Sequence, residues 1–192
     1  LLKSGGMERE AEELLRYYEI HGEMLIKNGL CYPPHEVKYE QSIVAPAVNY
    51  LFQLYELTGK ILYLEEGKKQ LAVLVLFNGH QPDFHMYENA VRHWDGYWFG
   101  KYKNLGDTFP HYWSSLSGVA FREYEKITGE RSYGVKAENS LRGVLSMINS
   151  DGSASCAYVY PFMVNNVRCQ YADPWANDQD WALYYYLKEG KN

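Results

Sequence analysis

The chain of 192 residues has no long apolar run and no concentration of positive charge. Its longest purely apolar stretch, Leu71 to Phe77, is seven residues, whereas a membrane-spanning helix needs roughly 20. Lys and Arg number 19 against 24 acidic residues and form no cluster, although binding to phosphates needs one. We therefore expect neither a membrane nor a nucleic acid as a partner.

Cysteine and metal-ligand patterns are also scarce. The three cysteines cannot all pair within one chain, and none has a CxxC or Cys/His spacing that suggests zinc. We expect Cys31, Cys156 and Cys169 to be free thiols, or one bridge and one thiol. The spacing of His80, Asp83 and His85 could suit a metal, but chance explains it better. We expect no metal and no cofactor.

The chain does not begin with Met, and LLKSGG has none of the parts of a signal peptide. A hydrophobic content of 46% is typical of a globular domain with a sizeable core. We therefore expect residues 1–192 to be a single-domain fragment, the C-terminal half of a longer chain. Any export signal would lie upstream.

Apolar residues recur at helical spacing, which predicts helices over 7–26, 44–58, 62–77, 116–128 and 137–148, with a last one near the C-terminus. Two hairpins superpose at an offset of 70, with Gly129 on Gly59, Tyr133 on Tyr63 and Leu141 on Leu71. A third copy begins at WALYYYLKEGK (181–191). Such hairpins bury their apolar faces only by stacking, into a solenoid or a closed toroid. The sequence thus predicts an all-α fold of antiparallel helical hairpins.

Aromatic residues concentrate between Trp94 and Trp113, where eight of twenty positions are Trp, Tyr or Phe. These rings follow neither a helical nor a strand period, and glycines are mixed among them. They could be core, because large rings dominate interiors. The alternative is that they line a site, since ring faces beside carboxylates suit a sugar.

Asp95 and Asp107 are the best acid/base candidates in this segment. Each lies beside a glycine and close to Trp or Phe, and an apolar wall raises the pKa of a carboxyl group toward the operating pH. Either could instead cap a turn. His111 follows Asp107 by four residues and could donate to a substrate oxygen. Arg92 and Arg168 could clamp a carboxylate, although a lone Arg is usually a surface group.

Further candidates lie before the last helix. Asn177 and Asp180 are better interpreted as its N-terminal cap, whereas Asp178 and Trp175 remain candidates for a site. If the long connections lie on one rim, opposite the Thr-Gly turns, function is expected there. That rim would carry Glu40, Asp95, Asp107, His111, Asp173 and Trp175.

Three runs of the sequence are WDGYWFGKYKNLGDTFPHYWSSLSG (94–118), AFREYEKITGERSY (120–133) and YADPWANDQDWALYYY (171–186). They resemble the six-hairpin glycosidase-like (α/α)6 toroid proteins, and most of all glycoside hydrolase family 154, which is associated with β-glucuronidase activity. The resemblance implies part of a toroid, about three of its six hairpins, with a rim cleft for an acidic polysaccharide end. It also implies a periplasmic or extracellular location.

The main expectation is a glycoside hydrolase acting on glycans that contain uronic acid, with Asp107 or Asp95 as general acid/base. His111 is the third expected catalytic residue. The expected substrate-binding residues are Trp94, Tyr97, Trp98, Trp113, Arg92, Trp175 and Asp178. The first alternative is a polysaccharide lyase on the same scaffold, in which Tyr158, Tyr160, Asn165 and Arg168 could serve. The second is a fragment that binds a glycan or a protein without catalysis.

Overall fold

The computed structural model describes residues 2–30, 41–77, 107–155, 157–160, 163–164, 166–168 and 179–189. The helices in these ranges are α1 (Glu8–Asn28), α2 (Gln41–Thr58), α3 (Ile61–Val75), α4 (Ser114–Thr128), α5 (Arg131–Gly143) and α6 (Gln179–Glu189). The strands are β1 (Asp107–His111), β2 (Ala157–Tyr160), β3 (Met163–Val164) and β4 (Val167–Arg168). Short 3₁₀ turns cover Lys3–Gly5 and Val144–Met147.

Helices α2 and α3 form one antiparallel hairpin, and α4 and α5 form another, which confirms the predicted hairpin repeat. Gly59 and Gly129 end their helices with φ of 69° and 77°, a left-handed conformation that favours glycine. The N–H of Gly59 donates to the carbonyl of Tyr55 at 2.7 Å, and that of Gly129 donates to Glu125 at the same distance. Both turns therefore have the same geometry, as the offset of 70 residues predicts.

The threonine before each glycine repeats its bonds as well. The Thr58 hydroxyl donates to the Leu54 carbonyl at 2.6 Å, and the Thr128 hydroxyl donates to Tyr124 at 2.8 Å. Each hydroxyl also accepts the N–H that follows the glycine, at 3.2 Å. The Thr-Gly pair thus satisfies backbone groups that a helix end would leave without partners.

The core lies between the two hairpins. Phe52 is fully buried and stacks on Tyr124, with ring centres 5.6 Å apart. The main cluster joins α2, α3, α4 and α5 through Val44, Ala45, Val48, Phe52, Leu64, Leu71, Leu74, Ala120, Phe121, Tyr124 and Ala137. Burial of this apolar surface is what holds one hairpin against the next.

The helices form two sets. In the first set, α2 packs beside α4 and α4 packs beside α6. In the second set, α1, α3 and α5 each contact the next member of the first set. This arrangement is the stacking of successive hairpins that a toroid uses. Among the described helices, none is long and apolar enough to cross a membrane.

Short strands are a feature that the helical periodicity did not predict. β1 pairs antiparallel with β2, and β3 pairs antiparallel with β4. The first pair has an irregular register between Thr108 and His111, where Pro110 has no N–H to donate to a ladder. The boundaries of α5 also differ from the prediction, because the helix starts at Arg131, directly after the turn, and ends in the 3₁₀ turn.

Candidate functional site

The helices α2 and α4 begin at the same end of the molecule. Gln41, the first residue of α2, donates hydrogen bonds to Trp113 and Ser117 at the start of α4. At the opposite end, Lys126 of α4 binds Glu189 at the end of α6. The strand β1, which leads into α4, and its partner β2 therefore lie at this rim, opposite the Thr-Gly turns.

The pair formed by β1 and β2 brings several candidate residues together on this rim. Asp107 lies directly opposite Tyr160, and His111 lies opposite Ala157. Residues opposite each other in an antiparallel pair have Cα atoms roughly 4.5 to 5.5 Å apart. Asp107 and His111, the candidates of the hydrolase hypothesis, are thus on β1. The tyrosines of the lyase hypothesis, Tyr158 and Tyr160, are on the adjacent strand β2.

A second, shorter hairpin contains Arg168, which lies opposite Met163 in the pair of β3 and β4. Asn166 has a φ of 62° in the connection between these strands. Asn tolerates this left-handed conformation better than most residues. The candidate Arg168 is therefore in a tight hairpin, and its strand neighbours are fixed by the register.

Trp113 is the candidate aromatic residue whose side chain is described. Its ring meets that of Tyr112 edge to face, with centroids 5.8 Å apart and an interplanar angle of 83°. It packs, partly buried, against a small cluster that includes Val144, Met147 and Ala182. The ring is therefore at least partly structural, and its expected stacking on a sugar remains a prediction.

Gln41 is a residue of this rim that the sequence analysis missed. It is 1% exposed, and its Nε2 donates to the Trp113 carbonyl and to the Ser117 Oγ, both at 2.8 Å. The orientation of the amide follows from these partners, because a carbonyl can accept but cannot donate. The offset of 70 residues contained a weak signal, since it aligns Gln41 with His111, which ends β1 shortly before α4.

Two tyrosines in the helices, Tyr50 of α2 and Tyr124 of α4, are poorly suited to act as bases. Burial and the hydrogen bond to Glu130 raise the pKa of Tyr124 to about 12. Burial and the neighbouring Tyr18 raise the pKa of Tyr50 to about 12, and its hydroxyl donates to the Tyr18 carbonyl at 2.6 Å. A general base is most effective with a pKa near the operating pH. Each hydroxyl also donates a hydrogen bond within the protein, Tyr50 to the Tyr18 carbonyl and Tyr124 to Glu130.

Most of the remaining candidates lie outside the residues that the structure describes. They are Arg92, Trp94, Asp95, Tyr97, Trp98, Trp175 and Asp178, together with Glu40, Asn165 and Asp173. Within the described ranges, no group of three or more His, Cys, Asp or Glu side chains could hold a metal ion.

The chain is similar in sequence and structure to a solved protein named Polysaccharide Lyase BACCELL_00875. The two share 52% sequence identity, with a TM-score of 0.80, and the match covers 99% of this chain and 28% of that one. The chain thus spans 28% of the length of that lyase. No protein-family model matches the chain, and no curated protein matches it.

Proposed function

We propose that this chain is part of a polysaccharide lyase that cleaves uronic-acid polysaccharides by β-elimination. The observation that carries the proposal is the 52% identity to a polysaccharide lyase over 99% of the chain. The similarity supports a glycan-active helical hairpin fold and does not single out glycoside hydrolase family 154. It also supports the lyase alternative better than the hydrolase that was the main expectation.

The reaction itself argues for a uronic acid. A base removes the proton from the carbon that bears the carboxylate, and the electron pair forms a carbon–carbon double bond. The bond to the glycosidic oxygen breaks, and that oxygen takes a proton from an acid. A neutral sugar lacks the carboxylate that makes the first proton removable. The substrate class therefore follows from the proposed chemistry.

The β1–β2 pair supplies residue types suited to these roles. We assign the base to Tyr160 or Tyr158, and the proton donor to His111 or Asp107, because proton transfer requires groups within hydrogen-bonding reach of the substrate. The register supports this assignment, since Asp107 lies opposite Tyr160. Arg168 is the candidate for neutralising the carboxylate with a bidentate pair of hydrogen bonds.

The test is an assay of the intact gene product on a panel of uronic-acid polysaccharides. A lyase produces an unsaturated sugar that absorbs in the ultraviolet, in step with new chain ends. New reducing ends without that absorbance would indicate a hydrolase and overturn the proposal. Binding without any product would indicate the non-catalytic alternative, and it would also overturn the proposal.

A matched pair of variants tests the assignment of residues. Tyr160→Phe removes the phenolic hydroxyl on β2, whereas Tyr17→Phe removes one from an exposed position on α1. We expect the first to lose most of the ultraviolet signal and the second to retain it. Equal activity of both variants, followed by the same result for Tyr158→Phe, would remove the tyrosines of β2 from the mechanism.

A further inference from the structure

We infer that Gln41 is a positioning residue that holds the junction between β1 and α4, and with it the reacting groups of the rim. The inference rests on the proposed lyase function. Gln41 comes from α2, the neighbouring hairpin, so it acts on the junction across a hairpin interface. Its role is to fix the backbone of the junction.

The junction is Tyr112 and Trp113, the two residues between β1 and α4. The Trp113 carbonyl accepts the N–H of Leu116 at 3.0 Å and the Gln41 Nε2 at 2.8 Å. A carbonyl oxygen has two lone pairs and can accept both bonds. The Tyr112 carbonyl accepts the N–H of Ser115 at 3.2 Å and its hydroxyl at 2.9 Å. Of these four bonds, only the one from Gln41 comes from outside the hairpin.

The proximity of the junction to His111 makes the position of Gln41 important for chemistry. His111 ends β1 and is two residues before Trp113. A shift of the Trp113 carbonyl therefore moves the strand end that carries His111 and that pairs with β2. A displacement of about 1 Å at a reacting group can cost about 100-fold in rate.

Asn49 offers a matched control on the same two helices. It lies eight residues further along α2, is 9% exposed, and donates from Nδ2 to the Leu116 carbonyl at 3.3 Å. Gln41 and Asn49 therefore make the same kind of bridge, from a buried amide of α2 to a carbonyl at the start of α4. The difference is the target, because Gln41 binds the junction at Trp113 as well as the helix at Ser117, whereas Asn49 binds the helix at Leu116.

The decisive experiment compares Gln41→Met with Asn49→Leu in the intact gene product. Both substitutions replace a buried amide with an apolar side chain of similar volume, so we expect comparable falls in thermal midpoint. For Gln41→Met we expect kcat to fall by about 10- to 100-fold, with KM changed by less than about threefold. For Asn49→Leu we expect kcat to stay within about twofold of the wild type.

Gln41→Asn extends the test in case Gln41→Met does not fold. This variant keeps the amide but shortens its arm by one carbon, so it can no longer reach both acceptors at 2.8 Å. We expect about a tenfold loss of kcat, on the same reasoning about displacement. Full kcat in Gln41→Asn would overturn the inference.

The outcomes separate the inference from the proposed function. A wild-type protein that yields no unsaturated product overturns the lyase proposal, and the inference falls with it. A wild-type protein that yields the product, with equal kcat losses in Gln41→Met and Asn49→Leu, overturns the inference alone. In that case Gln41 only joins two helices, as Asn49 does.

Discussion

Substitution of Gly67 by Ala tests a close approach between α2 and α3. A Cβ atom at this position would lie 2.5 Å from Cε1 and 2.7 Å from Cδ1 of Phe52. The Phe52 ring is fully buried and stacked on Tyr124, so it has little room to move away. Overpacking of this kind costs about 1 to 3 kcal/mol, and an overlap this severe should cost the upper part of that range. The better helix propensity of Ala returns about 1 kcal/mol.

We therefore expect Gly67→Ala to lose about 1 to 2 kcal/mol, which lowers the thermal midpoint by about 2 to 8 °C for a chain of this size. The loss of stability is measured by urea unfolding of four proteins: the wild type, Gly67→Ala, Phe52→Leu and the double variant. Because the leucine side chain of Phe52→Leu has no ring to meet the new methyl group, the double variant should show a favourable coupling of about 0.5 to 3 kcal/mol. A Gly67→Ala protein that is more stable than the wild type would refute the close packing.

Three further predictions follow from the turns, the charges and the rim. Gly59→Ala and Gly129→Ala should each lower the free energy of unfolding by about 1 to 2 kcal/mol, because both force Ala into a left-handed conformation. Two losses that differ by more than about 0.5 kcal/mol would contradict the repeated turn geometry. Burial raises the pKa of Glu189, but the hydrogen bond and charge of Lys126 outweigh it and lower the pKa overall. The stabilising contribution of the Glu189 carboxylate is therefore present at neutral pH and lost as the pH falls below the ordinary Glu value of about 4.3. In an acid titration, the free energies of unfolding of the wild type and Glu189→Gln should therefore converge. Tyr160→Phe should lower kcat by about 10² to 10⁴ if Tyr160 is the base, measured by ultraviolet absorbance with an unchanged circular dichroism spectrum.

The hairpin repeat was accessible from the sequence because its determinants are local. A helix is marked by apolar residues at helical spacing, and its end by a glycine that can take a positive φ. Gly59 and Gly129 carry that signal, and their hydrogen bonds match pair for pair. The offset of 70 residues then extends the prediction of helix and turn positions from one hairpin to the next, without any knowledge of tertiary contacts.

The strands of the rim were not accessible in the same way. β1 and β2 are short, and 45 residues of chain separate the end of β1 from the start of β2. Strand pairing depends on the partner more than on local preference, so neither strand has a distinctive pattern of its own. Gln41 was missed for a related reason, since its bonds reach residues 72 and 76 positions away. A polar residue at the beginning of an apolar helix indicates where the helix starts, but it does not indicate which distant residues its side chain will bond.

The choice between hydrolase and lyase shows what the residue types of a rim can decide. Aromatic rings and carboxylates near glycines indicate a binding site for a sugar. A site for an acidic sugar also needs a cation or an amide that binds the sugar carboxylate. Both reactions use an acid and a base near one glycosidic bond, so Asp107, His111 and Tyr160 suit either. What separates them is the target of the base or nucleophile, which is water or the anomeric carbon in a hydrolase and a carbon-bound proton in a lyase. That distinction is a matter of position within about an ångström, and position on this rim depends on bonds across the hairpin interface such as that of Gln41.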